Sequence, residues 1–93
     1  MRIIGELEHP ILKITVFQMN NRLSVKCEAG LYEQTYKFRQ GEGVETIDDV
    51  RKIIDKEFTE GILVELQQMH KRKVAALNRH LTTGEKEEFE TII

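Results

Sequence analysis

Few residues in this chain could do chemistry: three histidines, His9, His70 and His80, and one cysteine, Cys27. A structural zinc site draws its ligands from closely spaced pairs such as Cys-x-x-Cys. None of the four residues has such a neighbour. On a single helix His70 and His80 would diverge by about 80°. A reactive cysteine needs a setting that favours the thiolate. Cys27 instead ends the alternating stretch Leu23-Ser24-Val25-Lys26-Cys27, where it reads as a small core hydrophobe. Gly41-Glu42-Gly43 lacks the lysine, the third glycine and the preceding apolar strand of a phosphate loop. The carboxylates are scattered over exposed positions and form no acid/base pair. The expectation is a non-enzymatic protein with no catalytic residue, no metal site and no cofactor.

One charged feature stands out. From His70 to Leu81 there are the cations Lys71, Arg72, Lys73 and Arg79 and no acidic residue. Such a helix can lie along phosphates. Cations also suit the last turns of a helix, where they complement its dipole. This group wraps around the axis, with Lys73 on the apolar side and Lys71 and Arg72 pointing away. Lys13, Arg22, Lys26, Lys37 and Arg39 make a second basic surface on the outer face of a sheet. Nucleic-acid binding through either surface is the alternative function.

These residues are positioned above all by Thr46 to Leu81, a long stretch without proline that reads as helix. Ile47, Val50, Ile54 and Phe58 share one face, and Thr46 with Asp48 and Asp49 marks a helix start. Ile62, Leu63, Leu66, Met69, Val74, Leu77 and Leu81 form a second stripe. On one straight helix it would be rotated from the first by roughly 150°. A break or bend near Gly61 is expected to absorb that change, glycine being the poorest helix former after proline. Thr82 and Glu85 suggest a capping box opening a short last helix to Ile93.

Ahead of the helix, residues 11–19, 22–28 and 31–39 alternate and are rich in β-branched and aromatic side chains. Arg2 to Leu7 could add a fourth strand. A hairpin turn at Asn20-Asn21 pairs Val16 with Val25 and Ile14 with Cys27. A turn at Ala29-Gly30 pairs Cys27 with Tyr32, Val25 with Gln34 and Leu23 with Tyr36. All apolar partners then share one face, with Gln34 the exception, near an open edge or hydrogen-bonded under the helix. The fold class is α+β: an antiparallel meander of three or four strands covered by helix. Over residues 11–60 a meander followed by a helix resembles in topology the small DNA-binding domains of some integrases. That likeness implies a sheet laid against DNA and rests on no motif.

The 93 residues make one domain, 1–93, with 40% hydrophobic and 32% charged residues, a soluble globular composition. A net charge of −2 exerts no overall pull on nucleic acid or anionic membrane. No apolar run approaches a membrane span and no signal-peptide layout opens the chain. With a single thiol, the expected compartment is the cytoplasm. The second stripe carries more apolar surface than a small sheet can cover. The expected partner is therefore a second copy, docked through Leu63, Leu66, His70, Val74 and Leu77, within a protein-interaction or scaffolding role whose other partner is unknown.

Overall fold

The computed structural model describes residues 1–88. Four strands, β1 (Arg2–Leu7), β2 (Lys13–Met19), β3 (Arg22–Ala29) and β4 (Tyr32–Phe38), are followed by helices α1 (Ile47–Ile53) and α2 (Lys56–Glu88). The strands form one antiparallel meander in the order β1-β2-β3-β4. The fold is α+β, and Arg2 to Leu7 supplies the fourth strand.

The β2–β3 hairpin has the register that alternation predicts, with Val16 opposite Val25 and Ile14 opposite Cys27. Its turn is tightened by Asn20 at φ 58°, a left-handed conformation that asparagine tolerates better than most residues. The β3–β4 hairpin differs from expectation. Ala29 pairs with Tyr32, Cys27 with Gln34 and Val25 with Tyr36, a displacement of two along β4. The residue with left-handed backbone is Gly30, at φ 61°, and it opens the loop rather than closing it. The loop is therefore Gly30-Leu31, and Leu31, expected in the strand, is exposed in the turn. A displacement of two keeps each side chain on its own face, so the core assignment survives. Leu12, Ile14, Val16, Leu23, Val25 and Cys27 form a buried layer.

Against this layer lie Val50 and Ile54, and Ile62 and Leu66 of α2. Thr46 caps α1 through a capping box with Asp49. Glycine at position 5 lets Ile47 close over β1, because a Cβ there would collide with the Ile47 side chain.

The interruption between helices falls at Ile54 and Asp55, not at Gly61, and α2 runs through Gly61 as one element. Ile54 leaves the helix at φ −86°, ψ 73°. The Asp55 carboxylate then accepts from the Phe58 N–H at 3.0 Å, so Asp55 opens α2 as its cap. Two non-helical residues absorb the phase change, and the first stripe and the start of the second, Ile62 and Leu66, meet the same face of the sheet. Gly61 has open space around it. A glycine costs a helix only about 1 kcal/mol relative to alanine, too little to end one packed on a sheet. The same holds at Gly84: α2 continues through it to Glu88, so the expected last helix has no separate start at Glu85. The remainder of that segment, 89–93, lies outside the described residues.

Candidate functional site

Four contacts fix the path of α2. Phe58 packs edge-on against Tyr36, with ring centroids 4.9 Å apart. Gln34 Nε2 donates to Glu65 Oε1 at 2.7 Å. The Tyr32 hydroxyl and His70 Nδ1 are 2.8 Å apart, and Lys73 Nζ lies 5.6 Å from the centre of the Tyr32 ring. As α2 advances from Phe58 to Lys73, its partners step back along β4 from Tyr36 to Tyr32. The helix runs antiparallel to β4 and leaves the sheet at the β3–β4 turn. Gln34, the polar residue on the inner face, is satisfied under the helix: the Tyr36 hydroxyl donates to it and it donates to Glu65. Burial, then the Glu65 carboxylate, then Cys27 raises the Tyr36 pKa.

Beyond the sheet α2 is bare. Every residue from Lys71 to Thr82 is exposed. The radius of gyration, 18.6 Å, exceeds the about 12 Å expected of a compact chain this long, as a projecting helix requires.

The five residues expected to mediate self-association are therefore divided. Leu66 is 5% exposed and belongs to the core, and Leu63 is half-buried against it. His70 is held by Tyr32. Val74 and Leu77 are 40% and 47% exposed, and Leu81, which continues their line, is 59% exposed. At 100° per residue all three lie within about 80° of the direction of Leu66, so the stripe that meets the sheet continues past its end. Beside α2 an apolar groove of about 440 Å³ is lined by Ile11, Ala29, Leu63, Val64 and His70 among others. Sequence reasoning missed Ile11, an exposed apolar residue that only the folded chain brings beside this stripe, and Val64, an exposed α2 residue that helical spacing sets off the stripe.

Of the helix cations, Lys73 is drawn onto Tyr32, while Lys71, Arg72 and Arg79 are exposed. On the outer sheet face Lys26 is engaged by Glu28 at 3.6 Å and by the Phe17 ring. Lys13, Arg22, Lys37 and Arg39 are exposed.

The candidate chemical residues are held apart. Cys27 is fully buried, and burial pushes its thiol up to about 11, so it carries no thiolate at neutral pH. His9 Nδ1 accepts from the backbone N–H groups of Ile11 and Leu12 at 3.1 and 3.0 Å, closing the β1–β2 loop. His80 is exposed on the free part of α2. Among the described residues no group of three or more His, Cys, Asp or Glu could hold a metal ion, and no helix is long and apolar enough to cross a membrane. No protein-family model, no curated protein and no solved structure matches this chain at a significant level.

Proposed function

We propose that this is a small non-catalytic interaction protein that self-associates through the projecting part of α2. The observation that carries this reading is the exposure of Val74, Leu77 and Leu81 on the line continued from Ile62 and Leu66. Burying such side chains is worth about 1.5–3 kcal/mol each, and a second copy offers a matching surface. In an antiparallel pair, Leu77 and Leu81 of one chain reach the groove beside Leu63 and Val64 of the other, and the contact is reciprocal. Charge favours that order. The start of α2 carries Glu57, Glu60 and Glu65 against Lys56, whereas Lys71, Arg72, Lys73 and Arg79 follow with no acid before Leu81. Antiparallel helices lay the basic part of one over the acidic part of the other; parallel helices set like over like.

Sedimentation equilibrium tests the reading. The chain is expected to associate reversibly in the micromolar range, and Leu77→Asp with Leu81→Asp is expected to weaken association without changing the fold. A wild-type chain that sediments no differently from that variant defeats the proposal. A second reading, nucleic-acid binding, is favoured by the exposure of Lys71, Arg72 and Arg79, none of them ion-paired among the described residues. Titration with mixed duplex DNA at low salt decides it: a salt-dependent shift abolished by Lys71→Glu with Arg72→Glu supports it, and no shift removes it.

A further inference from the structure

The sheet has two edges, and they are built differently. On β1 the pairing with β2 is broken by a register shift between Ile3 and Gly5. A bulge is a common device for making an edge a poor template. β4 has none: its ladder with β3 is continuous from Tyr32 to Phe38 and it contains no proline or glycine.

The two-residue loop Gly30-Leu31 sets which backbone groups of β4 are free. It makes Ala29 and Tyr32 the hydrogen-bonded pair that closes the hairpin, and such pairs alternate along the ladder. Tyr32, Gln34, Tyr36 and Phe38 therefore turn their N–H and C=O toward β3. Glu33, Thr35 and Lys37 turn theirs outward, and all three are exposed. The next outward residue, Arg39, is already satisfied by Glu42: its N–H donates to Oε1 at 2.6 Å and its C=O accepts from the Glu42 N–H at 3.3 Å. The free edge thus comprises three residues with Thr35 at the centre.

From this we infer a second homotypic surface: β4 pairs antiparallel with β4 of another copy about a two-fold axis at Thr35, joining two sheets into one. In that register Thr35 meets its own symmetry mate, and Glu33 of each chain stands opposite Lys37 of the other. All three outward residues are used, as hydrogen-bonded pairs. A register moved two residues one way requires the occupied backbone of Arg39; moved the other way, it requires Leu31 in the turn. Opposite charges directly across a ladder stabilise it and like charges oppose it. Neither Glu33 nor Lys37 has an ion-pair partner among the described residues. Beside α2 and β4 lies a groove of about 370 Å³ lined by Tyr36, Phe58, Gly61 and Glu65 among others, with no side chain on Gly61 to fill it. This surface goes beyond the α2 reading and does not rest on it. A chain bearing both would link to two neighbours, the property of a scaffold.

Charge reversal in a Leu77→Asp/Leu81→Asp background, which removes the α2 contact, tests the pairing. That background protein is expected to dimerise in sedimentation equilibrium below about 100 µM. Glu33→Lys alone and Lys37→Glu alone are each expected to weaken the dimer about tenfold, since each places like charges opposite at two symmetric positions. The swap Glu33→Lys/Lys37→Glu is expected to restore it to within about threefold. Thr35→Pro removes an outward N–H and leaves the β3–β4 ladder intact; it is expected to give a folded monomer by circular dichroism. A monomeric background protein overturns the inference, as does a swap no better than the single changes. Failure of the α2 reading looks different: there the wild-type chain and the Leu77/Leu81 variant associate alike.

Discussion

The two parts of α2 share one helical repeat and one apolar line, yet Lys56 to His70 is packed and Lys71 onward is not. The difference is one of length. A seven-residue strand such as β4 spans about 23 Å at its usual rise. A helix covers that distance in about 15 residues, which is the stretch from Lys56 to His70. α2 has 33 residues and keeps its apolar spacing after the sheet has ended. Periodicity states which way a side chain points; only the size of the neighbouring element states whether anything lies there to cover it.

Substitutions on either side of His70 give the largest test. Leu66→Ala empties a core position and is expected to cost about 3 kcal/mol. Leu77→Ala, measured in urea at a concentration where the chain is monomeric, is expected to change stability by no more than about 0.5 kcal/mol. Equal costs would mean that the second part of α2 folds back onto the domain.

The packed region also has a titration that the projecting region lacks. Burial raises the Cys27 thiol from 9.0 to about 11. The folded state then keeps a proton that the unfolded state releases. This stability is complete below pH 9 and is lost as pH rises toward 11, amounting to about 2.5 kcal/mol. Tyr36 is shifted in the same direction and adds to the alkaline loss. Urea denaturation at pH 8 and pH 11 should show a smaller difference in Cys27→Ala than in the parent. An unchanged difference would assign the whole loss to other groups.

The sheet was largely legible because β alternation is local: each residue's face follows from its neighbours, and even the misplaced β3–β4 turn left the faces correct. That turn is hard to place from the sequence because Leu31, an apolar residue, sits exposed in it. The helix break is not legible from composition, because by polarity alone Asp55 is one more charged residue on the solvent side of a helix. Its effect comes from a carboxylate that satisfies the Phe58 N–H, which is a property of position rather than type. The apolar stripe of the candidate site was visible from spacing. Its division at His70 was not, because that depends on where α2 starts and on its antiparallel course along β4. Asp55→Ala checks the capping argument: it is expected to cost about 1 kcal/mol and to fray the start of α2, with amide exchange rising near Phe58 and staying unchanged beyond His70.

The smallest effect separates a break at Asp55 from one at Gly61. If Gly61 were a hinge, its backbone freedom would be needed, and Gly61→Ala would strain the packing of one stripe or the other. In the fold described, Gly61 is an ordinary helical position with nothing within 4 Å of where a Cβ would stand. Alanine there reduces the freedom of the unfolded chain and raises helix propensity, so the variant is expected to gain about 0.5–1 kcal/mol. The sign is the discriminating quantity, because a hinge predicts a loss of similar size. A thermal melt at a monomeric concentration suffices to read it: a shift upward of a few degrees agrees with a helix break at Ile54 and Asp55, and a shift downward returns it to Gly61.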